Sequence, residues 1–506
     1  MSIPAAPGDD LTVPTGAGPV RGIVANGVRT WRGIPYAAAP VGPLRFRAPR
    51  PPRPWTRVRA ADRFGDAPPQ VVRSRNLGAG RHPVSEDCLT VNVSAPADPP
   101  DEPLPVVVCI YGGAFLIGSS AGPVYGGEHL VAAGDVVYVS LNYRVGALGF
   151  LDLTRYADAA HPFESNLGLR DQVAALEWVR DNIAAFGGDP GNVTLLGQSA
   201  GGTSVLTLMA VPAAKGLFHR GFALSPAPAS VYAKERHDAW ARSFVRALGV
   251  EERDAAAALT TLPWRDLVAA MDRLSPFLGR AADRDPMPSS PVVDGDFLPM
   301  HVIDAFDTGA AQPLPLVLGT ASREAALFRY LNALPTTPAR ITAAIGRSEP
   351  AALERILAAY PRFPRRDAVI DMVGDGIFWH PTVQVTEAHS RHAPVWSYRY
   401  DFETPLLRLA GLGATHGTDV PAIFGALDRD SGRLFTMLGA REDAAALSAR
   451  YQGALLAFAR DGDPGADWPR YDELTRRVRI FDGEDRIESD PRRGLRLAWG
   501  DYRGYL

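Results

Sequence analysis

Two five-residue stretches, Gly-Ser-Ser-Ala-Gly at 118–122 and Gly-Gln-Ser-Ala-Gly at 197–201, share the pattern Gly-x-Ser-x-Gly. A serine between two glycines can sit on a tight turn that pushes its hydroxyl outward, where a neighbouring base makes it a nucleophile for acyl transfer. That chemistry needs one nucleophile, and with 49 glycines in the chain one match can arise by chance. The flanking residues separate the two. Ser199 follows the apolar run Val-Thr-Leu-Leu and precedes Ala-Gly-Gly-Thr-Ser-Val-Leu-Thr-Leu-Met-Ala, a strand and then a helix whose N-terminal amides face the turn. Ser120 follows a glycine-rich loop and precedes Gly-Pro-Val-Tyr-Gly-Gly, whose proline and glycines oppose a helix. Ser199 is the expected nucleophile and Ser120 a loop serine.

A nucleophilic serine also needs a base, an acid that orients the base, and amides that hold an oxyanion, with the order serine, acid, histidine expected after a turn of this type. Seven histidines follow Ser199. His219 reads as lying at a strand approach, His237 on a polar helix, and His389 and His392 in a charged turn. His416 stands in a glycine-flanked loop just past the strand-like Val-Trp-Ser-Tyr-Arg-Tyr-Asp-Phe (395–402), where a parallel sheet presents residues at its carboxyl edge. On position alone it reads equally well as a solvent-exposed loop histidine. Glu324 directly follows the strand-like Leu-Pro-Leu-Val-Leu-Gly-Thr (314–320), and spacing alone favours a solvated glutamate at a helix start. The loop Tyr-Gly-Gly-Ala-Phe (111–115) either is a plain tight turn or offers the amides of Gly113 and Ala114, joined by that of Ala200, to an oxyanion.

These residues must be positioned by a sheet. Short Val/Leu/Tyr-rich runs at 104–112, 136–144, 192–197, 221–225, 314–320 and 395–402 alternate with helical stretches, which predicts an α/β protein with a mostly parallel sheet covered on both faces. The clearest helix spans 168–188, with Val173, Leu176, Val179, Ile183 and Phe186 on one face and Gly187-Gly188 stopping it. Alanine- and charge-rich stretches at 233–284 and 338–388 read as helical insertions covering the catalytic edge of a single domain over 1–506. With 46% hydrophobic and 22% charged residues, the 506-residue chain has the composition of a folded globular protein. A formal net charge of -3, with arginines scattered, argues against nucleic acid as a partner. There is no leader-like N-terminus and no apolar run long enough to span a bilayer, so a cytoplasmic protein is expected. Cys88 and Cys109, each inside an apolar segment, are expected as buried thiols. No histidine, cysteine and carboxylate cluster has metal-ligand spacing, and no cofactor is expected.

The sequence resembles the type B carboxylesterases of the α/β-hydrolase fold, the family of bacterial p-nitrobenzyl esterases and animal cholinesterases. The resemblance is carried by WRGIPYAAAPVGPLRF (31–46), SEDCLTVNV (85–93), NYRVGALGFL (142–151), the long block NLGLRDQVAALEWVRDNIAAFGGDPGNVTLLGQSAGG (166–202), PVVDGDFLP (291–299) and FARDGDPGADWPRY (458–471). It implies ester hydrolysis through a Ser199–His416–Glu324 triad and an acyl-enzyme, a small-molecule ester as substrate, and a monomer or small homo-oligomer. It also implies a hydrogen bond from Ser225 to Glu324, although Pro226 replaces the glycine common after that serine. The Gly-Gly-Gly oxyanion loop of many relatives is Gly-Gly-Ala here, and Ala114 keeps the amide. The disulfide that secreted relatives form with the equivalent of Cys88 lacks its partner, because Pro68 stands in the corresponding stretch.

Two other readings share this resemblance. The same chemistry can act on carbamates, amides or lactones, and some animal relatives use the fold as a non-catalytic adhesion module after losing a triad residue. In cholinesterases a tryptophan in the disulfide-closed loop receives the quaternary ammonium. The matching loop here (71–87) has no aromatic residue and carries Arg73, Arg75 and Arg81, so neutral esters are expected to be preferred, unless Tyr125, Phe328 or Tyr330 supplies a substitute ring.

Overall fold

The computed structural model describes residues 11–503 apart from 26, 72–81, 99, 275–286, 331–333, 335–336 and 428–429. Its frame is an eleven-stranded sheet: β1 (Ile23–Ala25), β2 (Val28–Pro35), β3 (Thr90–Pro96), β4 (Leu104–Ile110), β5 (Val137–Leu141), β6 (Gly188–Gln198), β7 (Arg220–Leu224), β8 (Leu316–Ala321), β9 (Val395–Tyr400), β10 (Arg477–Phe481) and β11 (Arg486–Ser489). The spatial order is β11-β10-β9-β8-β7-β6-β4-β5-β3-β2-β1. All pairs from β10 through β9, β8, β7, β6 and β4 to β5 are parallel, and the pairs at both edges are antiparallel. The six apolar runs singled out in the sequence are the consecutive strands β4 to β9. They are legible because parallel strands are buried on both faces and so read as continuous apolar runs. Every residue of β5 and β8, for example, is buried.

The helix expected at 168–188 forms α1 (Leu167–Asn182) and then tightens into a 3₁₀ turn, Ile183–Phe186, which ends at left-handed Gly187 (φ 91°). Val173, Leu176, Val179, Ile183 and Phe186 all enter the main core. So does much of the helix's other surface, including Asp171, which is fully buried and takes Nε and Nη2 of Arg144 at 2.8 and 2.7 Å and its backbone N–H at 3.0 Å. A buried pair of this kind is tolerable because the fork geometry satisfies both oxygens. It ties α1 to the loop after β5.

The helix α2 (Ala200–Ala210) follows β6 without a break. The two alanine-rich stretches are helical. The first forms α3 (Lys234–Leu248), α4 (Ala255–Thr261) and α5 (Trp264–Leu274), with 275–284 outside the described residues. These helices share a small core with Phe46, Leu148 and Tyr156. The second forms α6 (Pro338–Ser348), α7 (Pro350–Ala358), α8 (Arg366–Gly374) and α9 (His380–Ser390), with a core that includes Phe328, Phe378 and Trp499. His237 lies on a helix, as expected, and His389, read as part of a charged turn, lies in a helix instead. His237 is fully buried, edge-on to Trp240, and accepts from the Asp152 amide; His389 lies in the last turn of α9, bound to the Leu314 carbonyl at 2.8 Å. Burial holds both near pKa 4. No described helix is long and apolar enough to cross a membrane.

Candidate active site

The candidate site lies at the carboxyl ends of β4, β6, β7 and β8. The strand β6 ends at Gln198, and Ser199 takes φ 57°, ψ −123°, a conformation that costs a non-glycine residue on the order of 1–3 kcal/mol. The surroundings enforce it. Ser199 N–H donates to the Leu224 carbonyl at the end of β7 (2.8 Å), and the Ser199 carbonyl accepts from the amide and hydroxyl of Thr203 (2.8 and 3.1 Å). Glycine at 201 is a steric requirement, since a Cβ there would lie 2.0 Å from the Ile110 carbonyl oxygen. The Ser199 side chain is half-buried, and its hydroxyl makes no hydrogen bond to any described residue.

Beyond β4 the chain runs through Gly112 and then three left-handed residues, Gly113 (φ 132°), Ala114 (φ 54°) and Phe115 (φ 57°). This path brings Gly112 against the serine: a Cβ on Gly112 would lie 3.1 Å from Ser199 Cβ. The amides of Gly113 and Ala114 have no acceptor among the described residues, and that of Ala200, first in α2, has no intrahelical one. Gly113 and Ala114 follow the glycine that packs on the serine, and Ala200 is the serine's neighbour in the chain. Unpaired amides in a buried loop are rare in proteins and mark a place where a ligand atom accepts.

Glu324 opens the turn after β8 and is 3% exposed. Its Oε1 accepts from Ser225 Oγ and from the Ala321 amide, both at 2.6 Å, and its Oε2 lies 2.5 Å from His416 Nδ1. The solvated-glutamate alternative does not fit this burial, nor does an exposed-loop histidine fit His416, whose side chain is 9% exposed. Ser225 is fully buried with φ 45°, and Pro226 does not displace it from Glu324. The imidazole packs against Phe378 (4.5 Å between ring centres) and Phe328 (5.4 Å). A π-helical turn, Asp375–Trp379, carries Phe378 to that position between α8 and α9.

Three further residues reach the site without having been singled out for it. Gln198 places Nε2 3.2 Å from His416 Nε2. Tyr125, considered only as a cation platform, is 6% exposed with its hydroxyl between the Gly112 amide (3.1 Å) and Gln198 Oε1 (3.5 Å). Asp419, three residues after His416, is fully buried and accepts from Tyr398 Oη at 3.4 Å. Burial raises its carboxyl to about 7, with a contribution from the Glu324 charge and opposition from His416. The variable position of the Gly-x-Ser-x-Gly turn and the acid in His-Gly-Thr-Asp were the available signals for Gln198 and Asp419.

Ser120 lies elsewhere. It is 4% exposed, its Oγ accepts from Asn92 Nδ2 at 3.0 Å, and its amide donates to Asn142 Oδ1 at 2.8 Å, with no acid or histidine among these partners. Arg73, Arg75 and Arg81, and the side chain of Tyr330, fall outside the described residues. Among the described residues no group of three or more His, Cys, Asp or Glu side chains could hold a metal ion, and Cys88 and Cys109 are both free and buried.

The chain as a whole has known relatives. The model of the Carboxylesterase family matches residues 9–492. The chain is 40% identical over 495 residues to the para-nitrobenzyl esterase of Bacillus subtilis, covering 95% of this chain and 96% of that one. It is 33% identical over 477 residues to the phenmedipham hydrolase of Pseudarthrobacter oxydans (90% and 92%). Among solved structures it is similar to a PNB esterase (TM-score 0.87, 38% identity, 97% and 99% coverage) and to a carboxylesterase of Geobacillus stearothermophilus (0.84, 34%, 97% and 100%).

Proposed function

The chain belongs to the carboxylesterase family, and on that premise we propose that it hydrolyses small neutral carboxylic esters through a Ser199–His416–Glu324 triad and an acyl-enzyme. The α/β-hydrolase fold and the ester-hydrolase class come with the family. The steps belong to this proposal. Ser199 Oγ attacks the ester carbonyl while His416 Nε2 takes its proton; Glu324 holds the imidazole through Nδ1 and stabilises the imidazolium. The tetrahedral oxyanion is received by the amides of Gly113, Ala114 and Ala200. His416 then protonates the leaving alcohol, and water attacks the acyl-enzyme by the same route.

The observation that carries this reading is the buried 2.5 Å contact between Glu324 and His416 beside a serine in strained geometry with a free hydroxyl. The Ser199 hydroxyl and His416 Nε2 are not hydrogen-bonded to each other in the free protein, and such contacts commonly tighten only when substrate binds. We take residues 1–506 as one domain, since the eleven-stranded sheet draws strands from 23 to 489. The two unpaired thiols support work in a reducing compartment, the cytoplasm.

The test is covalent labelling with a fluorophosphonate followed by peptide mass spectrometry, alongside turnover of p-nitrophenyl esters of increasing chain length, one carbamate and one anilide. The expected result is a label on Ser199 alone and fastest turnover on an ester. A label on Ser120, or an anilide turned over faster than every ester, overturns the reading.

A further inference from the structure

We propose that an arginine-lined cavity beside the turn after β8 binds a small phosphate monoester, a doubly charged phosphate carrying an organic group. The cavity holds about 330 Å³, within the roughly 300–1,000 Å³ typical of small-molecule sites. No residue of the proposed triad or oxyanion loop lines it, although Arg323, which does, is the residue before Glu324. It is a second site, and it stands whether or not the triad does.

Four separate segments bring the cations together. Arg323 comes from the turn after β8, Arg399 from β9, Arg362 from the segment between α7 and α8, and Arg492 from the position before the helix Arg493–Trp499. One carboxylate shares the lining with them, Asp371 of α8. Burial raises its carboxyl above the ordinary value, Arg323 opposes the rise and the Asp375 charge adds to it, so a negative charge on Asp371 is disfavoured. The acids that hold the other three arginines, Asp367, Asp375 and Asp401, stand outside the lining. The surface offered to a ligand is therefore positive.

Those ion pairs fix the guanidinium groups without exhausting their donors. Arg399 gives Nε and Nη2 to the two oxygens of Asp401, both at 2.6 Å, and its Nη1 has no acceptor among the described residues. Arg492 gives Nη1 and Nη2 to Asp375 at 2.6 and 2.8 Å, lies 4.3 Å from the Trp379 ring centre, and keeps Nε without an acceptor among the described residues. Arg323 is the most loosely held: Nε and Nη2 share one Asp371 oxygen, each at 3.3 Å, and Nη1 reaches the Gly411 carbonyl at 3.3 Å. Bonds this long are weak, so an oxyanion gains more from Arg323 than it displaces. The side chains of Arg399 and Arg492 are only 15% and 19% exposed, and an anion there meets donors that are already oriented and partly desolvated. Three guanidinium groups on separate segments suit an anion with three acceptor oxygens and close to two charges, which a phosphate monoester has and a carboxylate lacks. The rest of the wall includes Tyr360, Pro361 and Leu495. The Tyr360 hydroxyl is spent on Asp375 and on Trp499 Nε1, so this wall favours an organic group over the free ion.

The experiment titrates phenyl phosphate and inorganic phosphate into the full chain at low salt, followed by isothermal calorimetry. The expected result is one phenyl phosphate per chain with a Kd below about 1 mM, and inorganic phosphate bound about tenfold more weakly or worse. Arg323→Gln should weaken phenyl phosphate about tenfold or more, whereas Arg180→Gln, on the surface of α1, should leave it within about twofold. No binding up to about 10 mM, an unchanged affinity in Arg323→Gln, or inorganic phosphate bound as tightly as phenyl phosphate would each overturn the proposal. A second measurement needs no variant to fold. Phenylglyoxal modification of the wild type, mapped by peptide mass spectrometry, should slow about tenfold at Arg323 when phenyl phosphate is present at about ten times its Kd, and stay unchanged at Arg180. An equal rate at Arg323 with and without the phosphate places any binding elsewhere and overturns the site.

Discussion

Residues 118–122 and 197–201 share a pattern, and both serines stand close to the sheet's carboxyl edge, yet their surroundings are opposite in kind. At 118–122 the hydroxyl and amide of Ser120 are satisfied by Asn92 and Asn142, and Asn92 also donates to Ser140 at 3.0 Å. Ser120 there serves to fill a buried amide network. At 197–201 the serine is held at φ 57° by bonds to its backbone, while its hydroxyl is left without a partner among the described residues and amides without acceptors stand next to it in the chain and in the loop that packs on it. The difference teaches that the glycines of such a pattern report only that the backbone turns tightly. Function follows from which groups are left unsatisfied, and strain persists where the structure over-determines it.

The largest effect should come from removing each hydroxyl in turn. Ser199→Ala is expected to lower kcat/KM on an activated ester by about 10⁴-fold or more. Ser120→Ala should stay within a few-fold of wild type while losing about 1 kcal/mol of stability through the unpaired Asn92 amide. Equal activities in the two variants would erase the distinction.

A smaller loss, about 10³-fold, is expected for Glu324→Gln, which keeps the shape but disfavours the imidazolium and the correct ring tautomer. Because the substituted side-chain amide can still accept from Ser225, the loss should appear in kcat with an unchanged melting temperature to within a few degrees. A variant that keeps a tenth of wild-type kcat would show that the acid lies elsewhere.

The two regions should also differ in their response to pH. Asp419, beside the proposed base, keeps its proton to about 7 when folded and has an ordinary value of 3.8. Between these values the unfolded chain has lost the proton that the folded chain retains, so this group's contribution to stability falls as pH rises from about 4 to about 7. Asp419→Asn has no such proton. Its melting temperature relative to wild type should climb across that window and level off above pH 8. No titrating group contacts Ser120 among the described residues, and Ser120→Ala should show an offset that does not vary with pH. A constant offset for Asp419→Asn would contradict the assignment.

The smallest effect concerns the walls. Phe328 and Phe378 are 4% and 5% exposed and spend their faces on His416 and on each other, at 6.1 Å and nearly parallel. They leave little surface for a cation. Butyrylcholine and its uncharged isostere 3,3-dimethylbutyl butyrate should therefore have kcat/KM values within a few-fold, the neutral ester equal or better. A tenfold preference for the choline ester would reveal an aromatic platform.

Much of the frame was legible before any coordinates. Runs such as Val-Val-Val-Cys-Ile and Val-Thr-Leu-Leu announce strands buried on both faces, and a strand ending in Gly-Gln-Ser-Ala-Gly before an apolar helix separates Ser199 from Ser120. The edges were less legible. In β10 and β11, Arg477, Arg479 and Arg486 interrupt the apolar signal because these strands are partly exposed. The burial of His237 and His389 was not legible either, because polarity in the neighbouring sequence says little about the face a helix turns inward.

What the sequence determined by itself was local: where strands end, which turns need glycine, which serine precedes a helix, and, through family resemblance, which acid and histidine to consider. Tertiary structure decided what those residues face. Gln198 meets His416 across 218 positions, Ser225 meets Glu324 across 99, and Asp419 is raised by burial that no neighbour in sequence supplies. The physical reason is that backbone propensity acts over a few residues, whereas desolvation and hydrogen-bond satisfaction depend on every element packed around a group.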